Sequence, residues 1–147
     1  MEMGSPTEAL SRGIERNGAA IALYRSILHT SGERWLAGMS GTWREQRESL
    51  AEELARLAAT ILPSPEAGKT IPLPPALEVG REIAHEASRR IVETMRDIEN
   101  ADLELYEALA LALAGEPLLS QQLGSIAEGA RLRIKIAESH LDLLALG

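Results

Sequence analysis

The sequence predicts an all-α protein: an antiparallel four-helix bundle made of two helical hairpins joined by a long proline-rich crossover. Three observations carry that expectation. Apolar residues recur at alternating steps of three and four along four segments, the spacing that lines one face of a helix. Short turn signals, Thr30-Ser31-Gly32 and Gly115-Glu116-Pro117, divide each pair of segments. Between the pairs, Pro63 to Pro75 holds five prolines and one glycine. About a dozen residues at roughly 3 Å each can run the length of a bundle.

The first helix is expected to start at Ser5-Pro6-Thr7-Glu8. Ser5 can cap the first amides, Pro6 suits the first helical position, and Glu8 can reach back to complete a capping box. Its inward positions are Leu10, Ile14, Asn17, Ile21, Tyr24 and Leu28. The second helix runs from about Glu33 to Leu62, with Leu36, Met39, Trp43, Gln46, Leu50, Leu54, Leu57 and Ile61 on one stripe, and Pro63 stops it. The third lies within 76–114, with an interruption near Gly80 or Ser88, and carries Val92, Met95, Glu99, Leu103, Tyr106, Ala110 and Leu113. Pro117 suits the first position of the fourth, whose stripe runs from Leu119 to Leu144. The chain thus reads as one domain over 1–147: hairpin one at about 5–62, crossover at about 63–75 and hairpin two at about 76–146. Tyr24 and Tyr106 sit late in the first helix of each half, which suggests duplication.

Composition narrows the function classes. At 147 residues the chain can enclose one continuous core. Aromatic residues make up 3%, with no Phe, so the core is built from Leu, Ile and Ala, which suits packed helices. A net charge of −7 repels phosphate backbones, and no block of Arg residues offsets it, so nucleic acid is not an expected partner. Without cysteine, disulfides, thiolate nucleophiles and Cys-ligated metals are excluded. The N-terminus lacks a basic region followed by an apolar one. The longest apolar run, Ala108 to Ala114, is too short to span a bilayer, so no membrane association is expected and the compartment predicted is the cytoplasm.

Helix 3 carries Glu99 seven residues before Tyr106, inside Asp97-Ile98-Glu99-Asn100-Ala101-Asp102-Leu103-Glu104-Leu105-Tyr106. With the two hairpins and the crossover, the chain resembles the rubrerythrin/ferritin-like superfamily over nearly its whole length. The resemblance implies a bundle in which each first helix offers a Glu seven before a Tyr and each second helix a Glu-x-x-His pair, together holding two irons. Matched position by position, helix 1 has Asn17 before Tyr24, helix 2 has Gln46 and Ser49, and helix 4 has Ala130 and Arg133. Of six ligand positions only Glu99 keeps a family ligand, and neither helix 2 nor helix 4 carries a Glu-x-x-His. A one-residue shift in helix 2 recruits Glu45 and Glu48 without finding a histidine. The resemblance therefore points to a degenerate di-iron site, with no metal ligand set, no catalytic residue and no cofactor expected; iron is the disfavoured alternative.

Asn17 and Gln46 interrupt apolar stripes. They either line a remodelled small-molecule pocket or pair internally and set helix register, the reading preferred here. Arg133 either snorkels outward or forms a buried pair with Glu99 that takes the place of the metal, again the preferred reading. His29, His85 and His140 are expected at exposed or capping positions. Glu45, Glu48, Glu52 and Glu53 read as a solvated face balanced by Arg44, Arg47 and Arg56. On helix 4, Leu132, Ile134, Ile136, Leu141, Leu143, Leu144 and Leu146 spread too widely for one stripe. The surplus predicts a homodimer through an apolar helix surface. The expected role is a non-catalytic structural or protein-interaction module. A small-molecule binder in the former metal cavity and a residual di-iron oxidoreductase are the alternatives.

Overall fold

In the computed structural model, which describes residues 2–61 and 68–146, helix α1 spans Pro6–Thr30. It begins on the predicted capping box: the Ser5 side chain accepts from the Glu8 amide, and Glu8 answers to the Ser5 amide. Ser31 ends the helix, donating its amide to the Ile27 carbonyl. Three residues later α2 begins, Arg34–Ile61. Leu62, the expected end of the second helix, and the first residues of the predicted crossover, 63–67, lie outside the described residues.

From residue 68 the chain runs beside α1. A two-residue antiparallel sheet pairs β1 (Met3–Gly4) with β2 (Ile71–Pro72). Further along, Arg12 donates to the Pro74 carbonyl at 3.1 Å and Arg16 to the Pro75 carbonyl at 2.8 Å. These side chains satisfy carbonyls for which extended backbone has no ladder partner. A 3-10 turn, Arg81–His85, follows, and helix α3 covers Ser88–Ala112. Helix formation therefore begins at Ser88, the later of the two predicted interruptions, and residues 76–87 extend the connection. The reason is packing: Leu77, Val79, Ile83 and Ala84 fold onto an apolar cluster containing Ile27 and Ile91. That burial outweighs the modest helix propensity of the segment. Helix α4, Pro117–Leu146, starts on the expected proline.

The two helices of each hairpin are antiparallel. In the first, Asn17 faces Arg47 and Leu28 faces Gly41; in the second, Glu99 faces Arg133. Helix α1 also packs against α3, with Gly13 opposite Leu105 and Tyr106. A Cβ at Gly13 would lie 3.0 Å from Leu105 and 3.3 Å from the Tyr106 hydroxyl, so the missing side chain lets these helices approach closely. That contact turns α1 so that Ile14 is exposed and Ile21 and Leu28 are half-buried, against expectation, while Ala9, Ala20, Leu23 and Ile27 are buried.

Two apolar clusters fill opposite ends of the bundle. One holds Leu10, Leu54, Leu57, Ile61, Leu109 and Leu123; the other holds Ile27, Leu36, Trp43, Ile91, Val92 and Met95. Between them lies a layer of buried polar side chains: Arg16, Asn17, Arg47, Glu99, Asp102 and Arg133. Among the described residues no helix is long and apolar enough to cross a membrane.

Candidate functional site

Every helix contributes to the polar layer. From α1 come Arg16, Asn17 and Tyr24; from α2, Arg47; from α3, Glu99 and Asp102, on the same face three residues apart; from α4, Arg133. The charges alternate along one chain of contacts. Arg16 Nε donates to Asp102 Oδ1 at 2.7 Å. Asp102 Oδ2 accepts from Arg47 Nη2 at 2.6 Å. Arg47 donates to Glu99 Oε2 through Nη2 at 2.6 Å and Nε at 3.2 Å, and Arg133 Nε donates to Glu99 Oε1 at 2.7 Å. Neutral groups close the remaining valences. The Tyr24 hydroxyl donates to Glu99 Oε2 at 2.7 Å. Asn17 donates to the Arg47 carbonyl and accepts from Arg47 Nη1.

Burial makes this arrangement all-or-none, because a charge without a partner in low dielectric is costly. Burial alone would push the Glu99 carboxyl up. The charge of Arg47, then that of Arg133, and the Tyr24 hydrogen bond outweigh it and hold Glu99 below its ordinary range. For Arg47, burial favours loss of the proton, but Glu99 overcomes it and holds the guanidinium well above its usual value. Burial, reinforced by the Glu99 charge, raises the Tyr24 phenol well above its usual value. Burial and then Asp102 do the same for Tyr106.

The structure brings Asn17, Glu99, Ala130 and Arg133 into the core, and the preferred Glu99–Arg133 pair is present. Tyr24 belongs to the layer. Tyr106 is buried beside it, its hydroxyl without a hydrogen-bond partner among the described residues. Gln46 and Ser49 fall elsewhere. Both are exposed, on a groove of about 180 Å³ between α2 and α4, although Gln46 Oε1 still accepts from Arg133 Nη1 at 3.0 Å. Arg47 reverses its expected place: it is fully buried, not a surface balance for the Glu residues around it. His29 and His85 are exposed, and His140 is half-buried, stacked on Trp35 at 4.7 Å.

The donor set does not fit a di-iron centre. Both Glu99 oxygens accept from guanidinium groups, the Asn17 oxygen is taken by Arg47, and the helix 4 positions offer Ala130 and a cation. Among the described residues no three His, Cys, Asp or Glu side chains gather as a metal ligand group. Iron needs several hard or borderline donors with free lone pairs; this layer presents donors already engaged by cations. What it can do chemically is bind four helices in one register. Comparison with protein-family models, with curated proteins and with solved structures returns no match.

Proposed function

We propose that the chain is a degenerate ferritin-like bundle, its hairpins joined by a proline-rich crossover, working as a non-catalytic structural or protein-interaction module. In this reading a permanent layer of ion pairs stands where the family holds its metals. The observation that carries it is the placement of Arg47 and Arg133 on either oxygen of Glu99, the one retained ligand position. A cation delivered by the sequence needs no loading, release or redox partner, and it leaves no open coordination position for substrate.

The outward role belongs to α4, on whose flank Leu132, Ile136, Leu143 and Leu146 are exposed. They recur at steps of four, seven and three, the spacing of a seam between packed helices. The proposed occupant is a second copy of the chain, in the cytoplasm, where such a seam would be covered by self-association. Metal analysis of untagged protein tests the core of the proposal. Sub-stoichiometric iron, manganese and zinc after growth in metal-replete medium is the expected result. A stoichiometric metal removed only with loss of structure would restore the di-iron reading.

A further inference from the structure

The buried layer does not balance electrically. Among the described residues, the buried Arg16, Arg47 and Arg133 have only Glu99 and Asp102 as buried acidic partners, and burial keeps the phenols of Tyr24 and Tyr106 protonated. One positive charge is left over. Because the charges alternate, both ends of the chain are arginines. Arg16 is closed in by backbone, donating to the Pro75 and Ile98 carbonyls. Among the described residues, Arg133 at the other end bonds only Gln46 beyond Glu99, and it borders the groove between α2 and α4 with Ser49, Ser125 and Gly129 around it. The half-exposed Glu53 lines the same groove, while the ion pair of Arg133 goes to Glu99.

From this geometry we infer that the groove binds a small oxyanion, phosphate or carboxylate, against the guanidinium of Arg133. A planar cation partly withdrawn from water is the strongest available donor for such a group, and Ser49 and Ser125, which also line the groove, can complete its hydrogen bonds. The volume of about 180 Å³ admits a small ion, and the acidic surface, net −7, repels extended polyanions. Glu53 competes for the same cation and sets how tightly a free ion binds. The inference rests on the ion-pair layer proposed above.

Amide shifts of the full chain, titrated with inorganic phosphate and separately with acetate at constant ionic strength, test it. Saturable shifts centred on Ser49, Ser125 and Gly129 are expected, and the ion that saturates first identifies the ligand class. Shifts no different from those given by chloride would overturn the site. Glu53→Gln should tighten binding several-fold; weaker binding would contradict the assignment. Ser125→Asp, which supplies a tethered carboxylate, should melt higher than Ser125→Asn in anion-free buffer and lose the thermal response to phosphate. Equal melting and an unchanged response would count against it. Failure of the underlying layer reads out separately, as an Arg133 Nε proton that exchanges freely with water. A protected Nε beside a silent groove would overturn the anion site alone.

Discussion

Arg47 on α2 clasps a single oxygen of Glu99 on α3, Oε2, through two of its nitrogens, Nη2 at 2.6 Å and Nε at 3.2 Å. Both side chains are completely shielded from solvent. With the Arg47–Asp102 bond beside it, the pair joins the two hairpins at the middle of the bundle, between the apolar clusters above and below. Its consequences are measurable.

Truncating one member should cost far more than removing a matched pair. Arg47→Ala should lower unfolding free energy by about 3–5 kcal/mol, because it takes a cation from both buried carboxylates at once, whereas Arg133→Ala, which leaves Glu99 its Arg47 and Tyr24 bonds, should cost less. The double variant Glu99→Leu/Arg133→Met, which removes one charge of each sign, should cost clearly less than the sum of its two single changes. Urea denaturation of the four proteins gives the coupling. A strictly additive result would mean that the two groups do not act as a unit.

Acid should weaken the protein through Glu99. Its folded-state pKa lies below the unfolded value of about 4.5, so its contribution is complete above that value and is lost as pH falls toward the folded pKa. Stability measured from about pH 6 down to about pH 3 should fall in that window. In Glu99→Gln, less stable at neutral pH, the decline should be shallower. An identical acid slope in the two proteins would remove Glu99 from the account.

Alkali should act through the tyrosines, with the opposite sign. Tyr24 and Tyr106 are both raised above their usual value of 10.0, so their contribution is complete below that pH and declines as pH rises through the folded values. As these are the only two tyrosines, folded protein should show no tyrosinate absorbance near pH 10. The absorbance should appear together with loss of helical circular dichroism. A phenol titrating at its ordinary value in folded protein would contradict the buried placement.

Self-association should depend on α4. Light scattering at tens of micromolar protein should give twice the chain mass of 15.9 kDa. Leu132→Glu or Ile136→Glu should give the single mass with unchanged helical content, since both residues are exposed within one chain. A wild-type monomer would sink the dimer.

Periodicity made the four helices legible, and the Ser5 capping box and Pro117 fixed two of their starts. It could not choose between neighbouring residues at each turn. Between Trp43 and Leu50, both Gln46 and Arg47 satisfy steps of three and four, and Arg16 competes with Asn17 in the same way. Family spacing favoured Gln46, whereas the rotation of α2 buries Arg47. Arginine is seldom fully buried without a partner, and the partner needed to recognise this one, Asp102, lies on a different helix. The signal that was available is joint: two arginines and two acids at inward steps on three helices. The start of α3 was ambiguous for another reason, since 76–87 leaves the helical state to cover apolar surface that other helices supply.

The alternating chain from Arg16 to Arg133 also constrains how the sequence can drift. A lone substitution at 99 or 102 leaves an end arginine without its carboxylate, and one at 16, 47 or 133 removes a donor from a buried carboxylate, so tolerable changes must arrive in compensating sets. In combinatorial libraries these positions should therefore be strongly epistatic, with viable variants found in charge-matched combinations and the intermediates between them depleted. The same five positions would form a co-varying block among homologues. The feature that gives the bundle one register thus also holds its centre on a mutational plateau with steep edges.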